Sequence, residues 1–101
     1  MDAISPPIPL RVGATDIYWL GGGDFRLDGG TMFGPAPKVL WQKHFPAAAD
    51  NTIELVNDPL LIRTAELNIL VDSGLGNKLT PEQQTVLAAT QWRLISQLAL
   101  L

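Results

Sequence analysis

The chain has 101 residues, the length of one small domain, and excludes a second complete one. Apolar residues make up 47% and charged residues 17%, the balance of a chain that buries a core rather than of a disordered tail. A net charge of -3 without any basic stripe argues against nucleic acid as a partner, and zero Cys with one histidine, His44, argues against a self-contained zinc site.

The start, Met1-Asp2-Ala3-Ile4-Ser5-Pro6-Pro7, lacks a positive segment and interrupts its apolar residues with prolines, so no targeting signal is expected. Apolar runs elsewhere are only a few residues, far below the roughly 18 that span a bilayer, and the chain reads as soluble and cytoplasmic with no membrane partner. From Leu10 to Leu20 the alternation predicts one strand, with Leu10, Val12, Ala14, Tyr18 and Leu20 on one parity and Ile17 and Trp19 on the other. Gly21-Gly22-Gly23-Asp24 then punctuates, and Phe25-Arg26-Leu27 alternates ahead of Asp28-Gly29-Gly30, which predicts a local antiparallel hairpin. Residues 31–50 carry Pro35, Pro37 and Pro46 without a clean period and read as a long, partly packed loop around Met32, Phe33, Trp41 and Phe45.

Ile53 and Leu55 alternate with polar neighbours, Asn57-Asp58-Pro59 turns, and Leu60 to Arg63 starts another strand. Ile69-Leu70-Val71 predicts a strand covered on both faces, and hence a layered fold. After Asp72 a glycine-containing loop leads to Thr80-Pro81-Glu82-Gln83, a capping box with Pro at the first helical position. From there Ala88, Trp92, Ile95 and Ala99 recur at helical steps and predict a single C-terminal helix. That helix stops on Leu98-Ala99-Leu100-Leu101 without a stop signal, so the fold is expected to continue beyond Leu101.

Several motifs fail on detail. In the loop after Asp72, a dinucleotide fingerprint needs a third Gly where Leu79 stands, and a Walker loop needs Gly before Lys78 and Ser or Thr after it, where the chain has Asn77 and Leu79. The stretch from Phe25 to Thr31 has the outline of an aspartyl-phosphatase loop, but Arg26 occupies the nucleophile's place. Asp72, at the end of its strand, suits either of two roles: accepting loop amides, or orienting a metal ligand through a hydrogen bond. His44 has no evident second ligand or carboxylate partner and reads as solvated surface. Met32, Phe33 and Trp41 either line an apolar groove or plug their loop onto the core.

Three stretches together carry a family resemblance: Leu27-Asp28-Gly29-Gly30-Thr31-Met32-Phe33-Gly34 with Pro37 to Trp41, Asp58-Pro59-Leu60-Leu61-Ile62, and Ile69-Leu70-Val71-Asp72-Ser73-Gly74-Leu75-Gly76-Asn77-Lys78-Leu79-Thr80. They resemble the metallo-β-lactamase-fold hydrolases, particularly the N-acyl-homoserine-lactonase-like subgroup, over about residues 10 to 87. The last stretch is similar to that family's first motif, an aspartate closing a strand before a loop and helix.

The resemblance implies an α+β fold: the N-terminal part of an αββα sandwich, mostly antiparallel sheet followed by one C-terminal helix, with residues 1–101 a single truncated domain. It implies one or two zinc ions in the parent family, held by an HxHxDH motif that would follow Leu101, and no cofactor in this chain alone. Asp72 matches a position supporting the metal loop, and the loop with Met32, Phe33 and Trp41 resembles one at the substrate entrance. In that family a zinc-bound hydroxide attacks an ester, lactone or amide carbonyl of a small-molecule substrate. Two readings follow: an N-terminal fragment of such a hydrolase, inactive alone, or a small non-catalytic β-rich binding module. Substrate, metal and oligomeric state are left open.

Overall fold

In the computed structural model, which describes residues 6–101, the row from Leu10 to Leu20 is not one strand. Strand β1 (Leu10–Val12) turns at Gly13 and Ala14 and returns as β2 (Thr15–Trp19), with Val12 opposite Thr15. Gly13 has φ +62° at the first of the two turn positions, where a type II′ hairpin favours glycine. This turn reverses the parity read along the sequence: Leu10 and Val12 share a face with Ile17 and Trp19, and Tyr18 lies opposite. The reading of Met1 to Ser5 as free of a targeting signal lies outside the described residues.

The remaining elements are β3 (Gly22–Asp28), α1 (Gly29–Phe33), α2 (Lys38–Trp41), β4 (Thr52–Val56), β5 (Leu60–Arg63), β6 (Asn68–Val71), α3 (Pro81–Leu87), β7 (Thr90–Trp92) and α4 (Leu94–Leu98). They form two sheets, ordered β1-β2-β5-β6 and β4-β3-β7, and all their pairings are antiparallel. The α+β class, mostly antiparallel with short helices, is as the sequence implied. The expected local hairpin between β2 and β3 is not formed. The chain crosses from one sheet to the other at Gly21, β2 pairs with β5, and β3 pairs with β4 and β7.

Register sorts the first sheet into two unlike faces. Leu10, Ile17, Ile62 and Ile69 align across all four strands, and Trp19, Leu60 and Val71 align in the next row of the same face. The opposite face carries Tyr18, Leu61 and Leu70, flanked by the polar row Arg11, Asp16, Arg63 and Asn68. The core sits on that second side, where Leu61 clusters with Leu20 and Leu94, and Tyr18, Trp92, Leu98 and Leu101 pack against it.

Two expectations fall here. β6 is an edge strand, and Ile69, Leu70 and Val71 are exposed rather than covered on both faces. The helical stripe from Thr80 to Leu101 is broken into α3, β7 and α4. Its start is as expected, with Thr80 accepting the amide of Gln83 at 3.1 Å and Gln83 reaching back to Thr80. It ends early because Ala88 takes the left-handed conformation at φ +48°, closing α3, and the next residues pair with β3, Thr90 against Asp24 and Trp92 against Gly22. Among the described residues, no helix is long and apolar enough to cross a membrane.

Candidate functional site: the glycine seam beside Asp72

Asp72 follows β6 with φ +72°, a left-handed conformation that aspartate tolerates because its side chain can bond the local backbone. Its Oδ1 accepts the amides of Ser73 at 2.5 Å and Gly74 at 3.0 Å. Those two donors, Gly74 foremost and Ser73 next, hold the carboxyl below its ordinary range, so it stays ionised at neutral pH.

What positions this loop is the glycine run read from sequence as punctuation. Leu75 donates its amide to the carbonyl of Gly22 at 2.7 Å. Gly74 lies so close that a Cβ there would stand 2.5 Å from the Cα of Gly22, and a Cβ on Gly23 would stand 2.6 Å from Leu75 Cδ1. From the other side, Trp92 Nε1 donates to the carbonyl of Ser73 at 3.0 Å, Arg93 donates its amide to Gly21 at 2.9 Å, and Gly21 donates to Gln97 Oε1 at 2.5 Å. Asp58 completes the seam: its Oδ1 accepts the Gly22 amide at 3.1 Å and its Oδ2 the Trp19 indole at 2.6 Å. Gly21, Gly22, Asp58 and Trp92 therefore join the two sheets and hold the Asp72 loop, and sequence reading missed all four in this role. The signal was Gly21-Gly22-Gly23 itself, since adjacent glycines mark close backbone approach as well as turns.

The aromatic loop is not part of this arrangement. Trp41 is buried, its ring centroid 5.0 Å from Phe33, whose ring lies 5.3 Å from Phe45. A Cβ on Gly29 would collide with the Trp41 ring. Phe33 and Trp41 are thus brought together as a plug on the end of β3, whereas Met32 is exposed. β3 runs from Gly22 to Asp28, so the plug and the Asp72 loop stand at opposite ends of a strand about 20 Å long.

Asp28, whose surroundings suggested a phosphatase loop, caps α1. It accepts the Thr31 amide at 2.9 Å and the Asn51 side-chain amide at 3.0 Å, and Asn51 followed by Thr31 holds its carboxyl low. His44 is exposed beside a cleft of about 460 Å³ that Arg26 and Glu54 also line. Arg26 is already engaged, by Glu54 at 3.2 Å and by the hydroxyl and carbonyl of Thr52 at 3.0 Å each. Among the described residues no group of three His, Cys, Asp or Glu side chains converges to hold a metal ion. The described residues do not fit a zinc ion without further ligands.

The chain is similar to the crystal structure of a probable metal-dependent hydrolase from Staphylococcus aureus, at 38% identity over 89% of this chain, with a TM-score of 0.83. The likeness supports a hydrolase family. This chain spans about a third of that protein's length, 33% of it. No protein-family model and no curated protein matches.

Proposed function

We propose that residues 1–101 are the N-terminal portion of a metal-dependent hydrolase of the metallo-β-lactamase fold. The observation that carries this reading is the 38% identity to a probable metal-dependent hydrolase across nearly the whole chain. The metal is zinc, its ligands come from polypeptide outside these residues, and the substrate is a small molecule with an ester, lactone or amide bond, N-acyl-homoserine lactones among them. Zinc in such a site supplies a nucleophile at neutral pH and polarises the carbonyl.

The contribution of this chain is positional. The Asp72 loop is clamped between Gly22 and Trp92. Asp72 Oδ1 is committed to the loop amides, and its other oxygen is the one that would orient a metal ligand through a hydrogen bond.

The test is a chimera in which this chain replaces the matched third of the Staphylococcus aureus hydrolase. After dialysis it should retain zinc by elemental analysis and hydrolyse a lactone or ester. Asp72→Ala should weaken zinc affinity by roughly 10- to 100-fold while the fold survives. A folded chimera without zinc or activity refutes the reading, and unchanged affinity with lowered stability reduces Asp72 to a turn residue.

A further inference from the structure

Residues 88–93 hold a conformation that their own sequence opposes. Ala88 at φ +48° and Gln91 at φ +65° are both left-handed without being glycine, and Gln91 lies in the middle of β7. Each such residue weighs against the conformation by about tenfold. From Glu82 to Leu101 the chain has neither Gly nor Pro, and Ala88, Trp92, Ile95 and Ala99 would share one face of a continuous helix. That stripe is broken in the structure, and Ile95 within it is left 62% exposed.

What holds the helix open is a short strap. β7 pairs with β3 at Thr90 and Trp92, Arg93 donates its amide to Gly21, and the Trp92 indole donates to the carbonyl of Ser73. The strap thus ends on the loop that carries Asp72.

The element ahead of it is free to move. No residue of α3 is buried, and the loop leading into α3 contains Gly76, at φ +73° with nothing within 4 Å of where a Cβ would stand, a place that can absorb a backbone rotation. Six residues span about 20 Å as strand and about 9 Å as helix, so winding 88–93 onto α3 shortens the segment by about 11 Å. Behind the strap, α4 is fixed by Leu94 in the core and by Gln97 on Gly21. The shortening therefore draws α3 toward α4 and pulls the Gly74 and Leu75 backbone away from Gly22.

We infer that residues 88–93 are a two-state strap, which holds the Asp72 loop when paired with β3 and releases it when wound onto α3. It acts on the backbone of that loop whatever chemistry Asp72 performs, and stands or falls apart from the hydrolase reading.

Amide exchange in the 101-residue chain reads the release. Leu75 and Arg93, whose amides bond Gly22 and Gly21, should exchange together and faster than the amides of β5, which is paired on both sides. Ala88→Gly and Gln91→Gly relieve the left-handed strain and disfavour the helix, so each should slow both amides by about tenfold or more. Trp92→Phe keeps an aromatic ring and loses the donor to Ser73, and should speed both by roughly threefold to tenfold.

The wound state has a length of its own. With spin labels on Val86→Cys and Leu100→Cys, both exposed in a chain that has no other Cys, a population near about 21 Å should appear, the rise of a continuous helix between them. Trp92→Phe should enlarge it and Ala88→Gly should remove it. Exchange of Leu75 and Arg93 only at the rate of β5 overturns the strap, as do glycine variants that leave exchange unchanged or speed it. A label distance that neither Trp92→Phe nor Ala88→Gly alters overturns it as well.

Discussion

The indole N–H of Trp19 donates to the carboxylate of Asp58 across 2.6 Å, and the second oxygen of that carboxylate accepts the amide of Gly22 at 3.1 Å. One side chain in the turn before β5 thus ties the end of β2 to the start of β3, where the chain leaves one sheet for the other. Asp58→Ala strips both donors of their partner and should cost about 1 to 3 kcal/mol in urea denaturation. Asp58→Asn keeps a single acceptor oxygen and should fall between that variant and the parent.

Gly74 and Gly76 separate packing from conformation. Both have positive φ, +72° and +73°, yet a Cβ on Gly74 would press on the Gly22 backbone whereas nothing lies within 4 Å of one on Gly76. Gly76→Ala should cost only the left-handed penalty, about 1 kcal/mol. Gly74→Ala should cost at least about 2 kcal/mol and raise hydrogen exchange at Leu75, whose amide bond to Gly22 the added methyl would pry apart.

Acid should destabilise the fold through three carboxylates. Asp28, Asp50 and Asp72 are all held low, chiefly by the Asn51 side chain, the Thr52 hydroxyl and the Gly74 amide respectively. A carboxyl lowered on folding gives stability that is fully present above its unfolded value, near about 4, and is lost as pH falls through the folded value. The denaturation midpoint should therefore stay level from about pH 7 to 5 and decline below about pH 4. Replacing all three with Asn should flatten the decline.

How much of this was legible beforehand depended on whether the signal was local. The Thr80 capping box lies within four residues, and the helix begins where it says. Strands β4, β5 and β6 fall where alternation or an aliphatic run placed them. The hairpin at Gly13 was hidden because a two-residue turn leaves the alternating pattern nearly unbroken while reversing which parity faces the core. The partners of Gly22, namely Asp58, Leu75 and Trp92, lie 36 to 70 positions away, and only the folded chain brings them together. Asp72 was found from sequence as a strand-end carboxylate; the seam that holds its loop was not.

Trp41 is the measure of the aromatic plug. It is buried against Gly29 and stacked on Phe33 at 5.0 Å, so Trp41→Ala should cost about 3 to 5 kcal/mol. Met32→Ala, at an exposed position, should cost under about 0.5 kcal/mol. If both variants were equally mild, the plug would not anchor the end of β3.

Ala88 explains why a continuous helical stripe fails to be a helix. At φ +48° it holds the left-handed position that ends α3, its amide shared between the carbonyls of Gln84 and Thr85, and nothing in an Ala-Ala-Thr sequence announces a stop. The helix ends there because Thr90 and Trp92 are claimed by β3, a pairing that outweighs the propensity of Ala88 and Ala89 to continue the helix. The strain at Ala88 is then a cost imposed by tertiary structure, and glycine, which adopts this conformation freely, should relieve it. Ala88→Gly is accordingly expected to raise stability by about 0.5 to 1 kcal/mol, against the usual direction of an alanine-to-glycine change near a helix. A loss of similar size in the same denaturation experiment would mean that α3 runs on through Ala88 in solution and that β7 is not paired with β3.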